Sequence, residues 1–226
     1  GTVSGATYSS EGKFKGAYSF DGSNGNIALS SGKYGLPGQS GATMAAWVKP
    51  ASGQSSASGS VIYIDRSGTT DTRMLISVNN DRTVSVKGRS ADEGFQITTT
   101  TETIPLDQWT HIVGVINLTN DVAQVYINGE LSISQTKAFQ YNTFADTTSI
   151  NAGLGAIPGS PQYSYKGMID EVAVYNKVLS AEEVMAVYNG TSPTYWHASF
   201  IISDIPSGTY QWNCLAYDSD NTSAWA

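Results

Sequence analysis

Apolar and polar residues alternate over short stretches of this chain, which is the pattern of half-buried β-strands. Residues 74–78 (MLISV) and 83–87 (TVSVK) alternate on either side of the polar run 79–82 (NNDR), and they predict a hairpin. Further strands are predicted at residues 17–20, 26–29, 43–48, 61–64, 95–98, 149–152 and 165–175. About a dozen short strands, without the helical spacing of a parallel sheet, predict an all-β fold: an antiparallel sandwich or jelly roll.

A second hairpin is predicted in the middle of the chain. Residues 122–127 and 131–136 flank an Asn-Gly pair, and both residues of such a pair accept the positive φ angles of a tight turn. Residues 109–116 (WTHIVGVI) form the strand before this hairpin, where His111 alternates with Trp109 and Val113. We therefore expect His111 to be a core or half-buried residue whose polar atoms have partners.

One short helix is predicted after the last of these strands. Ser180 and Glu183 form a Ser-x-x-Glu capping box, in which each residue supplies an oxygen to a free backbone N–H. Leu179 and Val184 flank the box as a hydrophobic staple, and Gly190 is placed to end the helix in a left-handed conformation. A helix of about two to three turns is not stable alone, so we expect it to dock on the sandwich.

Composition limits the class of protein. A chain of 226 residues with 14% charged and 11% aromatic residues suits one large β domain, or one domain and a smaller piece. The net charge of -7 and the lack of a Lys/Arg cluster argue against a nucleic-acid partner. No apolar run in the sequence approaches the roughly 18 residues that a membrane-spanning helix needs.

Three Asn-x-Ser/Thr sequons, at Asn117, Asn189 and Asn221, are candidate glycosylation sites. Such sequons occur by chance in a chain rich in Ser, Thr and Asn, so they give only weak support for an extracellular location. The single cysteine, Cys214, has no second cysteine in the chain with which to form a disulfide, and it does not indicate the compartment.

Three groups of segments carry a family resemblance. Residues 12–29 (GKFKGAYSFDGSNGNIAL), the pair 109–116 and 125–131 (WTHIVGVI and VYINGEL), and residues 167–184 (GMIDEVAVYNKVLSAEEV) stand in this order. Together they resemble the laminin-G-like jelly-roll domains of the concanavalin A-like lectin/glucanase superfamily. The resemblance covers about residues 1–190. It implies two antiparallel sheets and a non-catalytic module of a secreted or surface protein.

The resemblance also implies a structural calcium ion. In such domains the Asp of the FDG segment and the Asp of the IDE strand often lie near each other, and here these are Asp21 and Asp170. Gly22 would allow a tight turn, while Asn24 and Asn26 offer further oxygens to an ion that takes about six to eight. The alternative is that Asp21 and Gly22 are ordinary turn residues and that Asp170 faces solvent.

Some members of this superfamily are glycoside hydrolases, which need two carboxylates flanking the sugar bond. Their usual signature, a strand with Glu-x-Asp-x-x-Glu, does not occur in this sequence. The sequence also contains no Cys/His cluster for zinc and no Gly-rich phosphate loop before a helix. It therefore predicts a protein without enzymatic activity. The less favoured alternative is a glycan-active enzyme whose carboxylates meet from distant loops.

Three aromatic residues in one predicted loop, Phe139, Tyr141 and Phe144, are candidate ligand-binding residues. Lectins of this fold bind sugars through stacked aromatic rings and a few polar groups, so the three residues predict a sugar-binding platform. The alternative is that they are loop aromatics that cover the rim of the core.

The chain changes character after residue 190. Residues 191–198 predict a linker, and residues 199–226 predict two more strands in which Trp212 and Cys214 lie on one face. This segment resembles the closing strands of immunoglobulin-like domains, although the earlier cysteine that such domains pair with the residue at Cys214 is missing. Cys214 is therefore expected to be a small buried apolar residue. Two or three strands are only marginally stable alone.

These patterns predict an extracellular or cell-surface module for adhesion, for glycan or protein recognition, or for assembly. Laminin-G-like domains begin with a strand that precedes a segment like residues 1–6 (GTVSGA), so the resemblance implies an open sheet edge in this chain. An open edge is a template for an added strand. The rival function is a structural subunit of an extracellular filament, in which residues 199–226 complete a neighbouring copy. The partner is then a glycan or a surface protein for the module, and further copies of the chain for the filament.

Overall fold

The computed structural model is a sandwich of two β-sheets. It describes residues 2–29, 35–54, 56–66, 72–91, 95–145, 150–157 and 161–191, and two short strands at 215–217 and 223–225. Each sheet has seven strands, and every neighbouring pair of strands within the two sheets is antiparallel. The predicted all-β jelly-roll sandwich is therefore confirmed.

The strand order brings the two predicted hairpins into different sheets. The first sheet contains, from edge to edge, β1 (Thr2–Ser4), β4 (Asn26–Ala28), β13 (Ile150–Leu154), β6 (Ser58–Arg66), β7 (Thr72–Asn79), β8 (Val84–Gly88) and β9 (Gln96–Thr99). The second sheet contains β12 (Glu130–Thr136), β11 (Val122–Ile127), β10 (Thr110–Asn117), β5 (Gly41–Pro50), β14 (Lys166–Tyr175), β3 (Ala17–Asp21) and β2 (Thr7–Ser9). The hairpin β7–β8 lies in the first sheet and the hairpin β11–β12 lies in the second.

The core lies between the sheets, because alternate residues of each strand face inward. The inward side chains are aliphatic and buried: Met44, Ala46 and Val48 on β5, Met74, Ile76 and Val78 on β7, Val84 and Val86 on β8, and Ile112 and Ile116 on β10. Removal of their apolar surface from water, at about 25 cal/mol per Å², is the main favourable contribution to the stability of the sandwich. The residues between them face outward, and these outer faces are available for other contacts.

A short helix, α1 (Ala181–Tyr188), covers part of the outer face of the second sheet. Its predicted capping box is confirmed: Glu183 N donates to Ser180 Oγ at 3.3 Å, and Ser180 N donates to Glu183 Oε2 at 2.9 Å. Leu179 and Val184 lie in one buried apolar cluster with residues of β5 and β10, so the helix docks as expected. Gly190 has the predicted left-handed conformation, with a φ of 69°.

A bulge interrupts β14 at the adjacent acidic residues Asp170 and Glu171. Asp170 lies opposite Trp47, whereas Ala173 lies opposite Ala45, so β14 has one residue more than β5 over this stretch. Glu171 takes up the bulge with a φ of 47°, a left-handed conformation that is rare outside glycine. Simple strand alternation therefore does not hold through Asp170 and Glu171.

Beyond residue 191 the structure describes only two strands. β15 (Leu215–Tyr217) and β16 (Ser223–Trp225) pair with each other in a separate antiparallel sheet. Cys214 and most of the predicted linker lie outside the described residues. The immunoglobulin-like resemblance and the exchange of residues 199–226 between copies therefore stay predictions. In the described part of the chain, no helix combines the length and apolar character needed to cross a membrane.

Candidate ligand-binding face

Four hydroxyl-bearing residues lie in line across the outer face of the first sheet. The strand register places Ser60 opposite Ser77, Ser77 opposite Ser85, and Ser85 opposite Thr99, so the line crosses β6, β7, β8 and β9. These residues face outward because their strand neighbours, such as Ile76, lie in the core between the sheets. We call this line the hydroxyl row.

A second line of residues runs beside the hydroxyl row on the same face. Tyr63 lies opposite Leu75, Leu75 opposite Lys87, and Lys87 opposite Ile97. We call this line the mixed row, because it combines a phenol, two aliphatic side chains and an ammonium group. A sheet face with hydroxyls in one row and apolar and cationic groups in the next can contact both the polar and the apolar surface of a ligand.

Hydrogen bonds organise the end of the hydroxyl row near β9. Asn79 Nδ2 donates to Thr83 Oγ1 and to Ser85 Oγ, each at 2.8 Å, and the hydroxyls of Ser85 and Thr99 are also 2.8 Å apart. Asn79, Thr83 and Thr99 are half-buried. These side chains are therefore held in place and remain partly accessible from solvent.

The side chains at the opposite end of the hydroxyl row are buried and not accessible from solvent. Ser60 and Ser77 are fully buried, and their hydroxyls have no hydrogen-bond partner among the described residues. The short 3-10 helix Pro161–Tyr163 lies against β6, and Tyr163 packs on a small apolar cluster that includes Tyr63. The accessible polar groups of the face are consequently those near β8 and β9.

Lys87 lies at the centre of the face, on β8. Its Nζ donates to Ser58 Oγ at 3.3 Å and lies 5.6 Å from the ring centre of Tyr163. Burial lowers the pKa of Lys87, because desolvation disfavours the charged ammonium group. Just beyond the end of β8, the Arg89 guanidinium lies 4.3 Å from the centre of the Phe95 ring. The face therefore carries positive charge on a chain whose net charge is -7.

The sequence carries a signal for this face that is separate from its loop aromatics. In residues 74–78 and 83–87 the outward positions of the alternation are Leu75, Ser77, Ser85 and Lys87. The alternation shows that these residues share one face of a hairpin. It does not show which residues of β6 and β9 continue the two rows, because that depends on the register between strands.

The predicted aromatic platform is not formed as an exposed surface. Phe144 is 2% exposed and lies in the core between the sheets, and Phe139 is half-buried against the same core. Only Tyr141, which is 52% exposed, presents its ring to solvent. Its backbone N–H donates to Ser90 Oγ at 3.0 Å, which ties the loop to the segment after β8. The alternative interpretation, aromatics that cover the core, is correct for Phe144.

The two predicted calcium-binding carboxylates lie apart. Asp21 pairs with Lys166 at the start of β14, and Asp170 follows four residues later, about 13 Å away at the usual rise of ~3.3 Å per residue. Asp21 Oδ1 accepts the N–H of Ser23 at 2.8 Å, as in an ordinary turn. The register thus places Asp21 and Asp170 four positions apart along the pair of strands β3 and β14, and their binding of one calcium ion stays a prediction.

Asp170 has a different role in the structure. Its Oδ2 accepts the backbone N–H groups of Lys13 at 2.8 Å and Phe14 at 3.3 Å, and its Oδ1 accepts the N–H of Glu171 at 2.9 Å. The carboxylate thus fixes the loop before β3, which explains an acid within a strand.

The turn before β4 contains the other predicted calcium ligands. Gly22 has a left-handed φ of 82°, and Asn26 Nδ2 donates to the carbonyl oxygen of Asn24 at 3.1 Å. No group of three or more His, Cys, Asp or Glu residues suited to a metal lies in the described ranges. Calcium binding by the five predicted residues stays a prediction.

The sequons fall in different surroundings. Asn189 is exposed at the end of α1, and Asn117 is half-buried at the end of β10, where its Oδ1 accepts the N–H of Asn120 at 3.1 Å. Asn221 lies outside the described residues. Glycosylation at these positions stays a prediction.

Comparison with known proteins gives a family match and several structural likenesses. A family model described as the concanavalin A-like lectin/glucanases superfamily matches residues 21–185. No curated protein matches the chain in sequence.

Three solved structures have the same fold. Domain 4 of AbnA, a GH43 extracellular arabinanase from Geobacillus stearothermophilus in complex with arabinotriose, is 26% identical, with a TM-score of 0.59, covering 83% of this chain and 82% of that one. The native heptameric SAP-like pentraxin from Limulus polyphemus is 18% identical, with a TM-score of 0.59 and coverages of 81% and 89%. The CBM40 of the Ruminococcus gnavus IT-sialidase, bound to alpha2,3 sialyllactose, is 21% identical, with a TM-score of 0.56 and coverages of 72% and 96%.

Proposed function

We propose that this chain, which belongs to the concanavalin A-like lectin/glucanase superfamily, is a non-catalytic module that binds glycans. The observation that carries the proposal is the accessible part of the outer face of the first sheet, near β8 and β9, where Thr99 of the hydroxyl row lies beside Lys87 and Ile97 of the mixed row. Sugars present hydroxyl groups at the edge of the ring and C–H groups on its faces. Hydroxyl and amide side chains next to an aromatic ring are the groups that recognise this combination.

The accessible groups of the face are suited to a saccharide that lies across the strands. Asn79, Thr83 and Thr99 supply oxygen atoms as acceptors, because the Asn79 amide hydrogens and the Thr83 hydroxyl already donate within the protein. Tyr163 and the exposed Ile97 supply apolar surface. The hydrogen bonds among Asn79, Ser85 and Thr99 fix these groups before a ligand arrives, which lowers the entropy cost of binding. The arabinanase domain that was solved with arabinotriose supports the same ligand class for this chain.

The proposal of a binding module without catalysis rests on the chemistry of this face. Hydrolysis of a glycosidic bond needs two carboxylates on either side of the bond. Among the side chains that the structure describes in the hydroxyl and mixed rows, none is a carboxylate. The described side chains of the two rows are groups that hold a sugar, and the carboxylate of Asp81, beside them, accepts a hydrogen bond from the Thr83 hydroxyl at 2.7 Å.

We place the module outside the cell or at its surface, in a protein for adhesion or glycan recognition. The exposed sequon at Asn189 and the description of the arabinanase as extracellular support this location. A surface protein is the alternative partner for the same face. The filament is the rival proposal, and it depends on residues 199–226, of which the structure describes only β15 and β16.

A glycan array with two tyrosine variants tests the function and the position of the site. The wild-type protein is expected to bind a subset of the immobilised glycans. Tyr163→Ala removes the ring on the proposed face and should weaken that binding at least about tenfold, or 1.4 kcal/mol. Tyr141→Ala removes an exposed ring from the loop and is the matched control, with binding unchanged.

A third variant keeps the test valid if Tyr163→Ala lowers stability. Thr99→Val preserves the shape of the side chain and removes only its hydroxyl. The variant should therefore fold normally and bind the same glycans more weakly than wild type does. Absence of binding to any glycan contradicts the proposed function. Loss of binding in Tyr141→Ala, with Tyr163→Ala and Thr99→Val unaffected, contradicts the position of the site.

A further inference from the structure

Lys87 is a cation on β8, the strand next to the edge strand β9 of the first sheet. It lies between Leu75 and Ile97, with the hydroxyl row on one side and Arg89 just beyond the end of the strand. The side chain is half-buried, so its stem lies against apolar neighbours while its ammonium group remains near the surface. A ligand on the proposed face would contact this ammonium group.

The ammonium group of Lys87 has no carboxylate partner among the described residues. Its contacts are a 3.3 Å hydrogen bond to Ser58 Oγ and the Tyr163 ring at 5.6 Å, and no carboxylate of the described chain forms an ion pair with it. Lys177 shows the contrasting case, because its Nζ lies 2.6 Å from Glu183 Oε1. An ammonium group has three N–H donors, so at least one donor of Lys87 remains for a ligand.

We propose that the glycan bound by this face carries a carboxylate, and that Lys87 binds it. This inference rests on the proposed function, since it concerns the same face. A carboxylate would supply the missing counter-ion in a partly desolvated position, where charge-assisted hydrogen bonds are strongest. The half-buried Thr99 hydroxyl and the Tyr163 ring would contact the rest of the sugar.

The charge pattern favours one carboxylate over a polyanion. A phosphate or a heavily sulfated chain is usually held by an arginine fork or by several cations together. Lys87 is the only charged residue of the hydroxyl and mixed rows. The net charge of -7 opposes the approach of a polyanionic chain. A saccharide with a single carboxylate per contact, such as a uronic or sialic acid residue, matches this arrangement.

The test compares acidic oligosaccharides with their carboxyl-reduced counterparts. An array with uronic-acid and sialic-acid oligosaccharides, and the same compounds after reduction of the carboxyl to an alcohol, is probed with the wild-type protein. We expect binding to a carboxylated compound and at least tenfold weaker binding to its reduced form. This comparison needs no variant, so it does not depend on the folding of one.

Two methionine variants then assign the carboxylate to Lys87. Lys87→Met keeps the unbranched stem and removes the charge, and it should lower the affinity for the acidic compound to that for the reduced one. Lys49→Met removes the same charge from a half-buried position on β5 in the second sheet, and it should leave binding unchanged.

The outcomes separate the inference from the function on which it rests. Binding of neutral glycans with equal affinity for acidic and reduced forms contradicts the carboxylate and leaves the glycan-binding function standing. Discrimination that persists in Lys87→Met contradicts the role of Lys87. No binding to any compound contradicts the function and the inference together.

Discussion

His111 shows how one buried residue makes the stability of the protein depend on pH. Its ring lies 5.2 Å from that of Trp47 on β5 and 5.8 Å from that of Tyr188 on α1. The expected burial is confirmed, but the expectation that its polar atoms have partners was wrong for Nδ1, which has none among the described residues. Desolvation lowers the pKa of His111 to about 4, so the imidazole is neutral in the native protein at neutral pH.

We predict that His111 destabilises the native protein as pH falls from about 6.5 toward 4. The unfolded state takes up the proton near the ordinary pKa, while the native state does not, so stability is lost over this window by up to about 3 kcal/mol. His111→Phe should fit among the rings and remove this dependence. Urea unfolding at pH 7 and at pH 4.5 gives the free energy of unfolding at each pH. The difference between these two free energies should be about 2 kcal/mol smaller in the variant than in wild type.

Glu171 provides a control for the pH experiment, because its effect on the free energy of unfolding changes with pH in the direction opposite to that of His111. Burial, followed by the charge of Asp170, raises the pKa of Glu171 to about 7, so its contribution to native stability falls as pH rises from about 4.5 to 7. Glu171→Gln should therefore increase stability at pH 7 relative to pH 4.5. A pH dependence that is the same in His111→Phe and in wild type would show that His111 is protonated in the native state without penalty.

At the scale of single elements, the helix and most strands were predictable because local physics determines them, whereas the short strands β1 and β2 were not predicted. A core between two sheets requires inward residues at every second position, so the alternation in residues 74–78 gives both the strand and its inward face. The capping box identifies the start of α1 because Ser180 and Glu183 satisfy each other's backbone N–H groups.

Other features depend on contacts between distant segments and were not predictable. The hydroxyl row requires the register of four strands, and a shift in pairing between Ser60 and Ile62 means that counting along β6 does not give that register. Phe144 and Tyr141 are close in the loop, yet one lies in the core and the other in solvent. A loop has no periodicity to distinguish them, so the platform prediction failed there.

The capping box of α1 gives a prediction at this scale. Ser180→Ala removes the oxygen that accepts the N–H of Glu183 and should lower the free energy of unfolding by about 1 kcal/mol. The control is Ser52→Ala, an exposed serine outside the strands and α1, which should change it by less than about 0.5 kcal/mol. Chemical denaturation of both variants measures the two effects. Equal effects would mean that the helix end does not depend on this cap.

At the scale of the whole molecule, the two outer faces of the sandwich are used differently. The second sheet has its outer face packed against α1 through an apolar cluster with Val113, Val115 and Tyr126. The first sheet has the hydroxyl and mixed rows on its outer face, and its β6 side lies against the segment that ends at Tyr163. The packed face stabilises the fold, and the polar face is the one proposed to bind glycans.

Mapping the bound glycan by NMR tests this assignment most directly. The ¹⁵N-labelled protein would be titrated with the oligosaccharide that binds best on the array, and amide shifts would be followed. The largest changes are predicted in β7, β8 and β9 and at Tyr163, with residues 139–145 and the strands of the second sheet little affected. Changes confined to residues 139–145 or to the second sheet, or no changes at saturating ligand, would contradict glycan binding by the outer face of the first sheet.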